Sequence, residues 1–301
     1  MRLKSVSTSF LLISIAAVSR GQTSSGPEKG SLVITGGELG ASVIERFVSL
    51  AGGPDANFVY IPTASSGLKL DSGFVYTPPE SDAPAVNTHE FEQELCKLFG
   101  VNRITILHTR NRQTANSEKF VQPLKKARGV WLSQGNPGRL ADAFLDTLAQ
   151  REIQGVLDRG GVIGGNSAGA IIQGSYIVRG RSGKPLLMAK GHERGFGLLR
   201  NVAINPHLTE GKRDAELVNV VDAHPELLGI GIDEKAAIVV QGDSFEVIGE
   251  GRVAIYDNIK HDGQWYYWLS KGDKFDLRHR SARKVSRTAP PSDLQHQNTG
   301  A

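Results

Sequence analysis

The sequence predicts an α/β protein: a doubly wound, mainly parallel sheet flanked by helices, with short additional strands toward the C-terminus. Three observations carry this. Short apolar runs closed by glycine or proline alternate with stretches of helical spacing. These units have the length that parallel strands with crossover helices require. The last apolar runs, "SFEVIGEG", "RVAIYD" and "QWYYWLS", follow one another without helices between them, as antiparallel edge strands do. With 301 residues, 39% of them hydrophobic, the chain can bury a substantial core.

Taken in order, "SLVITGG" is a buried strand and "ASVIERFVSLAGG" a helix with a glycine stop. "NFVYIPTA" is the second strand, and "SSGLKLDSGFVYTPPESDAPAV" reads as an inserted surface loop because Gly, Pro and Ser cluster in it. Asn87 with Glu90 has the spacing of a capping box, opening a helix to Phe99 that contains the chain's one cysteine, Cys96. One cysteine allows no intrachain disulfide, and a half-buried structural thiol is its expected role. "RITILHT" is a third strand, "SEKFVQPLKKARG" a helix disturbed by Pro123, and "GVWLSQG" a fourth strand. "GRLADAFLDTLAQREIQGVLDRG" is helical with a break expected near Gln150, and "GVIGGNS" is a fifth strand. "NVAINPHL", a helix from about Lys212 to Ala223, and "LLGIGIDEKAAIVV" follow.

The ends differ from the body. Arg2 and Lys4 precede the apolar run Phe10 to Val18, and small residues follow, so residues 1–21 read as a cleaved export signal and 22–30 as a linker. The run is too short to cross a membrane, which takes roughly 20 residues; no integral membrane segment is expected after cleavage, and the destination is periplasmic or secreted. Residues 31–270 read as one α/β domain and 271–301 as a basic, disordered tail. The net charge of +4 comes from the ends. The first 20 residues carry three basic groups and no acid, and residues 271–301 carry seven basic against three acidic. The body between them is slightly acidic, which argues against a nucleic-acid partner.

Loops at the carboxyl ends of strands make the site in such a sheet. That rim gathers "TGGE", "IPTASS", "SQGNPGR", "GGNSAG", "NPHL" and "GIDE". Gly165-Asn166-Ser167-Ala168-Gly169 fits G-x-S-x-G at a strand-to-helix turn, where the serine is lifted into the open and the following amides face a developing oxyanion. Ser167 is therefore the candidate nucleophile, and it needs a base. Of eight histidines, His261, His279 and His296 lie in late loops or the tail, and His89 opens a surface helix. His192 sits in a glycine-bounded loop, His224 ends a helix, and His108 closes a strand and remains conceivable. His207 stands at a strand end on the rim and is the best base. The orienting acid is Asp233 or Glu234, since alternation lets only one of them face the site. The order Ser, His, acid differs from that of α/β-hydrolases and argues against an ordinary esterase.

At these residues the chain resembles the cyanophycinase and dipeptidase E family of serine peptidases, within the class I glutamine amidotransferase-like superfamily. The resemblance covers Ser31 to Asp257, carried by "GGNSAGA", "GFGLL…NVAINPHL" and "PELLGIGIDEKAAIVV…FEVIGEGRV". It implies Ser167 as nucleophile, His207 as base and Glu234, rather than Asp233, as acid. It also implies an oxyanion hole from the amides of Ala168 and Gly135, with Asn136 and Asn205 beside the substrate. Departures are equally visible. Where the family has a "GGDQ"-like turn this chain has "QGNP", with Pro137 in the glutamine's place; where it has "DQH", this chain has Asn205-Pro206-His207. Gly211 and Glu216 stand where the family places arginines, and Arg213 alone survives. The triad is thus kept while the pocket for a polyaspartate-arginine substrate is altered, so weak or absent action on cyanophycin is expected. A substrate carboxylate would fall to Arg213 or Arg139.

The expected activity is hydrolysis of a peptide or isopeptide bond through an acyl-enzyme, with no cofactor and no metal, since no HExxH or Cys/His spacing occurs. A homodimer is compatible with this reading. The rivals are an inactive exported binding protein that keeps the fold, an amidotransferase, which would need cysteine at the elbow, and a nucleotide site at "TGGELG", which lacks a full fingerprint and a phosphate-loop lysine.

Overall fold

A computed structural model describes residues 24–82, 85–183 and 186–286. The signal read at residues 1–21 and the tail from 287 onward lie outside the described residues. The main sheet has nine strands, in the spatial order Ser281–Arg283, Lys274–Asp276, Ser244–Gly249, Ala236–Gln241, Ser31–Thr35, Val162–Asn166, Gly129–Leu132, Phe58–Ile61 and Ile104–Ile106. The five strands from Ser31–Thr35 to Ile104–Ile106 are parallel, and each of the four on the other side pairs antiparallel to its neighbour.

The four parallel strands from Ser31–Thr35 to Phe58–Ile61 are buried along their whole length, because helices cover both faces, while the edge strand Ile104–Ile106 buries Ile104 alone. On one face Ala41–Ala51 and Thr88–Phe99 close over an aromatic cluster in which Phe47 packs edge-on to Trp131 at 5.0 Å and to Phe99 at 5.9 Å. On the other, Glu118–Lys126, Pro137–Phe144 and Leu148–Asp158 bury Leu124, Phe144 and Ile153. Ala41–Ala51 puts Val43, Ile44, Phe47, Val48 and Ala51 on its inner face and ends at Gly52, whose φ of 104° stops the helix in the left-handed region.

A second sheet was not legible in the sequence. It has five strands in the order Tyr267–Ser270, Arg252–Tyr256, Leu228–Ile232, Leu199–Pro206 and Gly174–Tyr176. The late strands, read as one antiparallel edge, are in fact divided: Ser244–Gly249 joins the main sheet by pairing with Ala236–Gln241, while Arg252–Tyr256 and Tyr267–Ser270 join the second. Periodicity tells that a segment is a strand, but not which of two sheets receives it.

Smaller expectations also shift. Asn87 does precede a helix, but at φ 60° its side chain makes no capping bond, so the capping box does not form. The helical break falls at 145–147 rather than at Gln150, where Asp146 has φ 60° and its N–H donates to Gln150 Oε1 at 2.7 Å. The insert after Ile61 contains a short hairpin, Leu68–Lys69 with Val75–Tyr76, which buries Leu68 and Tyr76. The Cys96 thiol is half-buried, and burial pushes its pKa up.

The folded body does not stop at residue 270. Lys274–Asp276 and Ser281–Arg283 extend the main sheet because Phe275 packs on Phe245 at 5.1 Å and Arg278 grips Asp243 through two nitrogens at 2.7 and 3.1 Å. The same carboxylate holds the other end: Ser24 Oγ and the Ser25 amide both donate to Asp243 Oδ1 at 2.7 Å. Residues 24–30, read as a linker, are therefore bound to the body at their start.

Candidate active site

Val162–Asn166 runs through the middle of the main sheet, and the chain must reverse at its end to enter the helix Ala168–Ile171. The reversal is made at Ser167, with φ 52° and ψ −110°. A non-glycine residue held there costs of order 1–3 kcal/mol and persists only when its surroundings fix it. The flanking glycines do this by close approach. A Cβ on Gly165 would lie 2.5 Å from Gly169 O, and one on Gly169 would lie 2.0 Å from Leu132 O. Asn166 locks the strand end from both sides: its Nδ2 donates to Gly37 O at 3.0 Å, and its Oδ1 accepts from Trp131 Nε1 at 3.2 Å. Sequence reasoning treated Asn166 as a spacer.

The second sheet delivers the partners. Leu199–Pro206 and Leu228–Ile232 are adjacent and parallel, with Pro206 opposite Ile232, so the residues that follow them emerge together. His207 Nε2 lies 2.8 Å from Ser167 Oγ, and His207 Nδ1 pairs with Glu234 Oε2. Asp233 turns the other way and accepts from Thr209 Oγ1 at 2.5 Å and from the Arg252 amide at 3.2 Å. Alternation thus separates the two acids: one braces loops, the other meets the imidazole. The rim turn at Gly36-Gly37 lies hard against this pair. A Cβ on Gly37 would fall 2.1 Å from Glu234 Oε1.

Ala168 is buried at the first position of its helix, where a backbone N–H has no acceptor within the helix. Gly135 takes φ 138° in the next loop of the rim, and a side chain there would strike Ala64 O at 2.2 Å. The two asparagines expected at the substrate have other work. Asn136 caps the helix Pro137–Phe144, accepting from Gly138 N at 2.8 Å, while its Nδ2 donates to the carbonyls of Ser182 at 3.0 Å and Arg181 at 3.2 Å. Asn205 is fully buried; its Oδ1 accepts from Arg179 Nη1 at 2.9 Å and its Nδ2 donates to Glu216 Oε2 at 2.9 Å. Their hydrogen-bonding capacity is largely spent within the protein.

Arg179 also pairs directly with Glu216, so this glutamate neutralises an arginine from another loop. Sequence reasoning missed Arg179; an acid at Glu216 on the rim, in need of a cation, was the available signal. Arg213 is half-buried, and its Nη1 donates to Pro206 O at 3.2 Å. Burial and the neighbouring Arg179 cation lower its pKa, against the opposing pull of Glu216 and Glu234. Arg139 sits on the other flank, with Nη1 3.5 Å from Ala64 O. His108, the other histidine considered, bridges Thr63 Oγ1 at 3.0 Å and Pro79 O at 2.8 Å and so holds the inserted loop.

A serine hydroxyl in line with an imidazole that is itself held by a carboxylate has the arrangement from which nucleophilic attack on a carbonyl proceeds. Together with its α/β scaffold it places the chain among the serine-type hydrolases. The family model of peptidase family S51 matches residues 31–248, and the chain belongs to that family. The cyanophycinase of Geminocystis herdmanii is 30% identical over 233 residues, which cover 75% of this chain and 79% of that protein. The cyanophycinase of a Nostoc species is 29% identical over 274 residues, covering 83% and 86%. A peptidase from an acI-B1 Actinobacterium, known from its crystal structure, superposes with a TM-score of 0.62 at 25% identity, covering 83% of this chain and 98% of that one. The chain is a cyanophycinase-like serine peptidase.

Proposed function

We propose that this peptidase cleaves a peptide or isopeptide bond, with aspartyl linkages the first to examine, by a Ser167–His207–Glu234 mechanism. His207 Nε2 takes the Ser167 proton as Oγ attacks the carbonyl, and Glu234 fixes the imidazole tautomer and stabilises its protonated form. The amides of Ala168 and Gly135 donate to the tetrahedral oxyanion. Collapse expels the amine, which takes its proton from His207, and water, deprotonated by the same ring, releases the acyl group. The observation that carries this reading is the continuous contact chain Glu234–His207–Ser167, with 2.8 Å between imidazole and hydroxyl.

The signal-like sequence at residues 1–21 supports an exported enzyme. The altered pocket supports a substrate other than cyanophycin: Pro137 offers no side-chain donor, and Glu216 is already paired with Arg179. Arg213 is the nearby cation that supports a grip on a substrate carboxylate from the His207 side. The test is digestion of a peptide library containing α- and β-aspartyl linkages, read by mass spectrometry, beside fluorophosphonate labelling. Cleavage and labelling that both vanish in Ser167→Ala support the mechanism. A Ser167 that never labels and a library left intact would instead favour a binding protein on the same fold.

A further inference from the structure

A second pair of arginines lies on the opposite flank of the candidate nucleophile. Strands Val162–Asn166, Gly129–Leu132 and Phe58–Ile61 are neighbours, so the loop after Ile61 is two strand spacings, about 10 Å, from the loop that carries Ser167. Successive carbonyls of that loop hold two guanidiniums side by side: Arg139 Nη1 approaches Ala64 O at 3.5 Å, and Arg110 Nη2 donates to Ser65 O at 2.6 Å. Gly135 packs on the same Ala64 carbonyl, and Asn136 N donates to it at 2.9 Å, which ties the pair to the proposed oxyanion turn.

The pair is short of negative charge. The Arg110 side chain is only 14% exposed, and its buried Nε has no hydrogen-bond partner. Burial and the adjacent Arg139 cation both lower its pKa. Carbonyl dipoles do not neutralise two adjacent cations taken partly out of water. The carboxylate that does reach Arg110 is that of Glu80, which comes from the inserted loop with a side chain 73% exposed. An ion pair with so exposed a partner contributes little and yields readily to a better-held anion.

We infer that Arg110 and Arg139 form a carboxylate subsite of the substrate groove, which takes an acidic side chain or a C-terminal carboxylate a few residues from the scissile bond and displaces Glu80. An extended peptide advances about 3.3 Å per residue, so three residues span the distance to Ser167. The planar forks of two arginines suit a carboxylate on both edges. This inference rests on the peptidase reading for the identity of the ligand.

The experiment uses the Ser167→Ala chain, so that binding is read without turnover. Amidated hexapeptides with one Asp walked through six positions are each compared with their Asn isosteres by calorimetry, and one free-acid peptide is compared with its amide. At one position, or at the free C-terminus, the acid should bind about tenfold tighter than the amide. Arg139→Gln should bring that ratio to about one, Arg139→Lys should restore part of it, and Glu80→Gln should raise it several-fold. Which arm responds identifies the side chain or the terminus as the source. Equal affinity for acid and amide throughout, an unchanged ratio in Arg139→Gln, or no binding at millimolar peptide overturns the subsite. An acid preference in a chain whose intact Ser167 never labels with fluorophosphonate would sink the peptidase reading and keep the subsite.

Discussion

Gly37 and Glu234 are in such close contact that a Cβ on Gly37 would also reach within 2.6 Å of His207 Cε1. A methyl group there must push the imidazole or the carboxylate aside, and both side chains are partly exposed and free to move. Gly37→Ala should therefore lower kcat by about 100-fold, the cost of a misplacement of about 1 Å, while the melting temperature changes by no more than a few degrees. Parallel kinetics and thermal melts check this. A large loss of stability with unaltered kcat would contradict the assignment of that contact.

Ser167→Ala should remove hydrolysis by a factor of about 10^4 or more while the chain stays folded, because the hydroxyl supplies the reacting oxygen. Glu234→Gln keeps the shape but weakens the hold on the protonated ring, and should cost about 10^3 to 10^4 in kcat. Asp233→Asn should act on stability instead, since its carboxylate braces Thr209 and Arg252. Rates and denaturation midpoints for the three variants separate the roles.

Gly169→Ala should destabilise by at least about 1–3 kcal/mol, the usual cost of forcing extra atoms into a packed site. The obstruction is the Leu132 backbone carbonyl, 2.0 Å from the added carbon, and a strand backbone cannot step aside as a flexible side chain can. Urea denaturation of this variant beside wild type measures it.

His108 gives a pH dependence with a definite sign. Burial holds its pKa below the ordinary histidine value, against the opposing effects of the Pro79 carbonyl and Asp82. The unfolded chain then takes up its proton near pH 6.5, before the folded chain does. Stability should fall as pH drops below that value until the folded imidazole itself titrates, and should be flat above it. Melting temperatures between pH 7.5 and 5 should show a steeper acid loss for wild type than for His108→Gln.

Asp243→Ala should release both Ser24–Gly26 and the edge strands that Arg278 steadies. Hydrogen exchange at the Ser25 amide and through residues 274–283 should accelerate together, with about 1–3 kcal/mol lost overall.

Much of this was legible in the sequence because it depended on local pattern. Buried parallel strands read as apolar runs, and the elbow glycines betrayed a close approach before Leu132 O was seen to cause it. His207 could be picked because it ended a strand. Glu234 could not be separated from Asp233 without family likeness, since facing depends on which sheet the strand joins, and the second sheet left no mark in periodicity. The protein partners of Asn136 and Asn205 were hidden for a related reason. What an amide does is set by long-range partners, here Arg181 and Ser182 for Asn136 and Arg179 and Glu216 for Asn205. Residues 274–283 looked like a solvated tail because Phe275 and Leu277 are their two large apolar anchors, too few to stand out among the charged residues around them.

The contact between Ser24 and Asp243 has a consequence for how the molecule can be tethered. Asp243 sits in the turn after Ala236–Gln241, which runs antiparallel to Ser31–Thr35 with Val240 opposite Leu32 and Ala237 opposite Thr35. That turn is at the far end of the sheet from Gly37 and His207, about 20 Å away at the rise of a strand. Ser24, bound to Asp243, therefore lies at the end of the body opposite Ser167. An enzyme fastened to a surface by that end keeps its serine turned toward the solution.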